Sequence, residues 1–252
     1  MILFIGGHDP SGGAGLQADL ETAFSFGCRA SSLVTCLTTQ DSHNVKTIHP
    51  QRAGDFEHQA RVLLSDIQPS VIKIGLLGDA QIARATATLI DTLQLPVVLD
   101  PVLAAGGGKP LANDSLLQVV REQLLPLTTL MTPNRAEARR LSGMQDIDRS
   151  AQALLGGGCK ALLITGADET ESDQVRNTLY QAGGRQDYEW PRLPHVYHGS
   201  GCTLSSACAC ELSLGKPIEQ AVQQAQQFTW EALKNAQKIG SGQLFPTRRS
   251  MN

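Results

Sequence analysis

The chain lacks any apolar run near the ~18 residues needed to cross a bilayer, and its N-terminus has no basic region leading into a signal-type apolar core. A transmembrane enzyme and a secreted one are therefore not expected, and the cytoplasm is the expected location. It also lacks a block of like charge. Lys and Arg total 21 against 24 Asp and Glu, a formal net charge of −3, so neither nucleic acid nor an anionic membrane surface is an expected partner. No paired cysteine framework and no C-x-x-C spacing occur among Cys28, Cys36, Cys159, Cys202, Cys208 and Cys210, which points to reduced thiols. Cys208 and Cys210 fall two apart in an expected helix and face different sides, which argues against a shared metal. Internal repeats, low-complexity tracts and an interdomain linker are absent too. With 41% hydrophobic residues, residues 1–252 are expected to bury one core as a single domain.

What is present begins with His198-Gly199-Ser200-Gly201-Cys202 ahead of the Ala- and Leu-bearing run from Thr203 to Leu214. The segment reads as a tight loop opening a buried helix. Two glycines let the backbone approach a ligand, and the first helical turn presents unpaired N–H groups and a positive dipole end to an anion. Cys202 sits in that field, where a thiol is expected to lose its proton more easily than its free pKa of about 8.5 implies. Taken alone, the same residues also fit a glycine-rich loop before a packed helix with a small apolar cysteine at its start.

At the other end, Ile2-Leu3-Phe4-Ile5 is a short buried-strand pattern that breaks into Gly6-Gly7-His8-Asp9-Pro10-Ser11-Gly12-Gly13-Ala14-Gly15. A helix follows, with Leu16, Leu20 and Phe24 expected on its inner face and Gly27 closing it. No Gly-Lys-Ser/Thr follows the glycines, which excludes a Walker loop, and no acidic residue ends a second strand at the spacing of the dinucleotide fingerprint.

Strand and helix patterns then alternate. Apolar runs at 32–37, 71–74, 97–99, 129–131 and 161–164 are separated by helical patterns at 56–64, 80–93, 115–124, 136–141 and 151–155. That order predicts an α/β fold with a mostly parallel sheet covered on both faces. Ligands in such sheets sit beyond the carboxyl ends of the strands, where polar and glycine residues gather here. Residues 174–179 and 186–190 are expected to form an antiparallel edge hairpin around Ala182-Gly183-Gly184-Arg185. Ile218, Ala221, Val222, Ala225, Phe228 and Ala232 make the apolar stripe of a last helix.

The joint order of Asp9 to Gly15 with Gln17-Ala18-Asp19, Lys73-Ile74-Gly75-Leu76-Leu77, Asp100-Pro101-Val102, Thr132-Pro133-Asn134-Arg135-Ala136-Glu137-Ala138 and Gly199 to Ser205 resembles the hydroxymethylpyrimidine/phosphomethylpyrimidine kinases of thiamine biosynthesis. These are a branch of the ribokinase-like superfamily, and the resemblance spans nearly the whole chain. It implies a three-layer α/β/α fold, ATP and Mg²⁺, a homodimer, and phosphorylation of 4-amino-5-hydroxymethyl-2-methylpyrimidine and then of its monophosphate.

The resemblance also implies roles. The amides of Gly199, Gly201 and Cys202 would stabilise the phosphoryl group in flight, with Cys202 accepting the proton of the attacking hydroxymethyl group and Ser200 beside the nucleotide. Gln40 would pair with the aminopyrimidine edge, since an amide offers both donor and acceptor. Gly7, Asp19, Leu77 and Val102 match positions lining the ring pocket, although Leu77 and Val102 equally fit plain core. Asn134 and Glu137 would lie near Mg²⁺ and the triphosphate, with Thr165 also on the nucleotide, and Glu137 would act on the metal through water. By its residue type alone Asn134 equally fits a helix cap. Asp100 is a second metal candidate, or a structural aspartate before Pro101.

Two departures from the family pattern stand out. A Lys-Gly-Gly-His stretch is replaced by Thr165-Gly166-Ala167-Asp168, which leaves Lys109, Lys238 or Arg135 as substitutes for the missing phosphate-contacting lysine. An Ala-Lys-Ser-Gly stretch is replaced by Ala104-Ala105-Gly106-Gly107-Gly108, expected to be a mobile flap, with 43–49 as the other flap. A pyridoxal kinase is one alternative, because related members accept a pyridine bearing a similar hydroxymethyl group, and a non-catalytic protein that senses the pyrimidine is the other, which the two missing lysines leave open.

Overall fold

The computed structural model describes residues 1–168 and 172–249. Its first strand, β1 (Ile2–His8), shows how the sequence builds the molecule. Successive side chains of a strand point to opposite faces. Ile2 and Phe4 accordingly enter one core and Leu3 and Ile5 the other, so that an unbroken apolar run marks a strand covered on both sides.

The remaining strands are β2 (Ala30–Gln40), β3 (Val45–Pro50), β4 (Val71–Ile74), β5 (Val97–Leu99), β6 (Leu130–Met131), β7 (Ala161–Ile164), β8 (Gln174–Gln181) and β9 (Gly184–Pro191). They form one sheet in the order β3-β2-β1-β4-β5-β6-β7-β8-β9. The six central strands run parallel, β3 and β8 pair antiparallel to their neighbours, and β8–β9 is the expected edge hairpin.

Helices α1 (Gly15–Ser25), α7 (Ser200–Ser213) and α8 (Ile218–Lys234) cover one face. The opposite face carries α2 (Ala53–Leu64), α3 (Ala80–Leu93), α4 (Asp114–Val119), α5 (Arg135–Ser142) and α6 (Ile147–Gly156). The result is the expected three-layer α/β/α arrangement. The helix expected over 115–124 is shorter as an α-helix: it passes through a π turn at Val120–Leu124 into a 3₁₀ turn at Leu125–Leu127, where Pro126 has no N–H to extend it.

Two expectations are corrected. The inner face of α1 is Leu16, Ala18, Asp19, Thr22 and Ala23, whereas Leu20 is 39% and Phe24 85% exposed. The helix packs against the small residues of α7, and burying Asp19 there takes precedence over burying Phe24. Residues 43–49 are not all flap. Val45–Pro50 is an edge strand whose largely exposed, mixed polar sequence hid its extended character, and the loop shrinks to the tip between β2 and β3.

Candidate active site

The carboxyl ends of the parallel strands surround a cavity of about 500 Å³. Gly7, Asp19, Gln40, Asp100, Val102, Asn134, Glu137, Thr165, Gly199, Ser200, Gly201 and Cys202 all line it. Leu77 does not. It is 5% exposed within the core on the α2–α3 face, and its neighbour Leu76 lines the cavity in its stead. The strand order sets the axis of the site, with Gln40 of β2 on one flank, Asp100 after β5 near the middle, and Thr165 after β7 on the other.

Gly199 opens α7 in the left-handed region (φ 77°, ψ 21°), and a Cβ there would collide with the Gly13 carbonyl. The two glycine loops therefore touch backbone to backbone. Asp9 organises the first of them. Its Oδ1 accepts from the Ser11 N–H (2.8 Å) and hydroxyl (2.7 Å), and its Oδ2 accepts from the Ala14 N–H (2.9 Å). His198 Nε2 lies 2.7 Å from the same Oδ2, tying the loop to the entry of α7. Burial works to raise the Asp9 pKa, but the His198 and Ser11 bonds outweigh it and hold the carboxyl below its ordinary 3.8.

Under the α7 loop lies a buried charge cluster. In β4 the register that sends Val71 to the α1–α7 face sends Lys73 there too, where it is 0% exposed. Its Nζ donates to Asp19 Oδ1 at 2.8 Å, and the Ser206 hydroxyl donates to the same oxygen at 2.7 Å. Burial pulls the Lys73 pKa down, but Asp19 and then Cys202 and Asp100 outweigh that pull, and the net shift is upward. Asp19 Oδ2 is buried with no hydrogen-bond partner within the protein, an acceptor left for a ligand donor.

The expectation of an easily ionised Cys202 is corrected. Part of the residue is exposed, but its sulfur is enclosed, and burial pushes the thiol up to about 12. Lys73 and the Gly15 N–H favour the thiolate, whereas the charges of Asp100 and Asp19 oppose it. A helix N-terminus lowers a thiol pKa where water also solvates the anion; here desolvation prevails.

Asn134 and Glu137 form a capping box at the start of α5: Asn134 Oδ1 accepts from the Glu137 N–H (2.8 Å), and Glu137 Oε2 accepts from the Asn134 N–H (3.0 Å). Capping and cavity lining thus coincide. Glu137 Oε1 also accepts from the Leu103 N–H at 3.2 Å. Burial first and the charge of Asp100 second push Glu137 up to about 8, and burial raises Asp100 against the pull of Lys73. Buried carboxylates with this preference for a proton suit a divalent cation that would replace it. No cluster of three or more His, Cys, Asp or Glu side chains forms a closed metal cage among the described residues. The sparse donor set fits Mg²⁺, which keeps waters and is completed by phosphate oxygens.

The sequence reading missed the far wall. Trp190 of β9 and Trp230 of α8 lie with ring centroids 6.4 Å apart, and the Trp190 Nε1–H (3.1 Å) and Asn177 amide (2.9 Å) both donate to Gln226 Oε1. All four line the cavity. None of the three candidate cations lines the cavity: Lys109 donates to the Lys46 carbonyl of β3, and Lys238 is exposed. Arg135 lies beside the departed stretch, its guanidinium 3.2 and 3.3 Å from where a Gly166 Cβ would stand. At the cavity wall, Asn44 donates to the Gly107 carbonyl (3.0 Å) and His43 Nε2 meets the Ser241 hydroxyl (3.0 Å), so the 104–108 loop, the β2–β3 tip and the segment after α8 are joined to one another.

The fold and its sheet-end cavity, with two touching glycine loops and the buried Asp100 and Glu137, are those of a small-molecule kinase of the ribokinase-like class. A family model described as Phosphomethylpyrimidine kinase matches residues 9–247, and the chain belongs to that family. The hydroxymethylpyrimidine/phosphomethylpyrimidine kinase of Synechococcus elongatus is 36% identical over 252 residues, covering 96% of this chain and 95% of the relative. Among solved structures, the pyridoxal kinase of Staphylococcus aureus in complex with AMP-PCP and pyridoxal superposes with a TM-score of 0.91 at 28% identity, over 100% of this chain and 94% of that one. The phosphomethylpyrimidine kinase of Clostridium difficile gives 0.80 at 28% identity, over 92% and 98%.

Proposed function

We propose that the protein transfers the γ-phosphoryl group of ATP to 4-amino-5-hydroxymethyl-2-methylpyrimidine, and then a second one to the monophosphate, to form the diphosphate used in thiamine biosynthesis. The observation that carries this reading is the sharing of one cavity by Gln40, the Gly199–Cys202 loop and the Asp100–Glu137 carboxylates. Gln40 and the open Oδ2 of Asp19 offer acceptors to an exocyclic amine, and the Gln40 amide offers a donor to a ring nitrogen. Leu76 and Val102 supply apolar wall.

The hydroxymethyl oxygen attacks the γ-phosphorus as the bond from that phosphorus to the β,γ-bridging oxygen breaks and ADP leaves, while the amides of Gly199, Gly201 and Cys202 hold the equatorial oxygens. Cys202, in its ionised form, takes the proton. A thiol raised to about 12 is a scarce base at neutral pH. Because the transition state is loose, positioning and charge neutralisation carry most of the barrier lowering. Asp100 and Glu137 would hold Mg²⁺, which would supply neutralisation of phosphate charge. Asn134, Thr165 and Ser200 would face the triphosphate, and Arg135 would supply the cation that the Thr165-Gly166-Ala167-Asp168 stretch lacks. The tryptophan-lined wall suits the nucleotide base.

The reading includes a cytoplasmic homodimer. Six free cysteines favour a reducing compartment, and exposed Leu20 and Phe24, one turn apart on α1, give an apolar patch for self-association. Light scattering on the purified protein measures the second point, and a monomer mass removes it.

Incubation with Mg-ATP and the pyrimidine alcohol, with mono- and diphosphate resolved by chromatography, tests the activity. Both products are expected in succession; monophosphate alone removes the second step, and no product with either pyrimidine substrate removes the reading. Pyridoxal is the second acceptor to assay, because the backbone superposes better on the pyridoxal kinase (0.91) than on the phosphomethylpyrimidine kinase (0.80). A kcat/KM for pyridoxal above that for the pyrimidine would reverse the assignment.

A further inference from the structure

We propose that Arg248, on the segment after α8, is a positioning residue for phosphoryl transfer: its guanidinium sets the glycine loop after β1 against the anion loop that opens α7. The inference rests on the kinase reading and adds to it a residue outside the cavity wall.

Three elements meet on this one side chain, which is 4% exposed. Nε donates to the Thr203 hydroxyl at 2.8 Å, Nη1 donates to Glu21 of α1 at 3.0 Å, and Nη2 donates to the Gly13 carbonyl. Thr203 lies in the first turn of α7, and both its N–H (3.0 Å) and its hydroxyl (2.8 Å) donate to the Gly199 carbonyl. A Cβ on Gly199 would stand 2.9 Å from Nη2. The guanidinium is therefore packed directly behind the residue that starts the anion loop. Its planar fork reaches acceptors on three sides at once, which the single point of an ammonium cannot do.

The arm that carries Arg248 is itself fixed. The His198 N–H donates to the Leu244 carbonyl (2.8 Å) and the Leu244 N–H to the Val196 carbonyl (3.0 Å). The Thr247 N–H donates to Ala232 of α8 at 2.9 Å, and the Phe245 ring meets the His198 ring edge-on at 5.4 Å. Gly13 has no room for a side chain between these two rings.

Charge adds to geometry. Among the described residues, the carboxylate paired with Arg248 is Glu21, whose side chain is 45% exposed and screened by water. The guanidinium is 2% exposed, so much of its charge remains felt behind the loop, with the same sign as the helix N-terminus in front of it. Loosening this joint should spread the loop amides, and small displacements of that kind cost heavily in rate while leaving a distant ring pocket intact.

The test uses the full chain with Arg248→Met and Arg248→Lys. Arg248→Met should lower kcat about 10- to 100-fold per folded molecule, weaken AMP-PCP binding, and leave calorimetric affinity for the pyrimidine alcohol within about two-fold. Arg248→Lys should fall between, and added guanidinium ion should restore part of the Arg248→Met activity. A kcat within about two-fold of wild type, or equal losses for nucleotide and pyrimidine, would overturn the proposal. Should Arg248→Met not fold, Thr203→Val removes the Nε acceptor with little change of volume and must show the same split between nucleotide and pyrimidine; its absence overturns the proposal equally. A wild-type protein that binds AMP-PCP but phosphorylates no pyrimidine sinks the substrate reading alone, and AMP-PCP affinity in Arg248→Met then decides the role of Arg248.

Discussion

Lys73 and Asp19 form an ion pair at 2.8 Å in which neither side chain is more than 1% exposed, directly beneath the loop carrying Cys202. The pair joins the centre of the sheet to α1, and the Ser206 hydroxyl extends it to α7. It is a costly thing to bury, and its partners explain why it persists: Asp100 and Cys202 share the field of the same ammonium. One cation thus serves the acidic groups at the bottom of the cavity.

Breaking that pair from one side should be severe. Lys73→Met leaves Asp19 buried without its cation and should destabilise the protein by about 3–5 kcal/mol in urea unfolding, whereas adding Asp19→Asn to Lys73→Met should recover part of the loss. A single variant as stable as wild type would mean that the cluster is not ionised as described.

Asp9 gives a pH-dependent test. Its folded pKa lies below the ordinary 3.8, so the unfolded state binds more protons through that interval. Its contribution is therefore complete above the ordinary carboxylate range and is lost as pH falls through the lowered folded value. The stability gap between wild type and Asp9→Asn should shrink as pH falls below about 4, as read from urea midpoints. A gap that widens in acid would reverse the assigned sign.

Most of the strand frame and both glycine loops were legible, because unbroken apolar runs and clustered glycines depend on local pattern alone. What stayed hidden depends on partners far along the chain. Lys73 is a lysine inside Val71-Ile72-Lys73-Ile74, and that misfit in an apolar strand was the available signal for a buried ion pair. Leu76 and Leu77 exchange roles because the turn after β4 decides which one faces the cavity. On α1 the period of Leu16, Leu20 and Phe24 is helical, but the requirement to bring Asp19 to Lys73 rotates Phe24 outward. Arg248, 235 residues from Gly13, left no local trace. The Cys202 acidity departs from the sequence expectation for a related reason: the helix terminus is written in the sequence, and the enclosure of the sulfur is not.

On the pyrimidine flank, Gln40→Leu should remove both a donor and an acceptor from a ring edge. Calorimetry should show a loss of about 1–3 kcal/mol in affinity for the aminopyrimidine, with the thermal midpoint little changed. An unaltered affinity would take Gln40 out of the site, and Asp19 would be left as the candidate partner of the amine.

Cys202 separates proton removal from charge stabilisation. Cys202→Ser keeps the size and all the loop amides but replaces a thiol, already raised to about 12, with a hydroxyl that ionises still less readily. If the thiolate takes the proton of the hydroxymethyl group, turnover should fall by roughly 10²–10⁴ while ATP still binds. Cys202→Asp should recover part of that loss, because a carboxylate beside Lys73 remains a proton acceptor without first having to ionise a thiol. A Cys202→Ser protein with wild-type turnover would assign the sulfur to packing. The barrier lowering would then belong to the Gly199–Cys202 amides and to the charges around them, the result to be expected if proton loss follows phosphoryl transfer in a loose transition state.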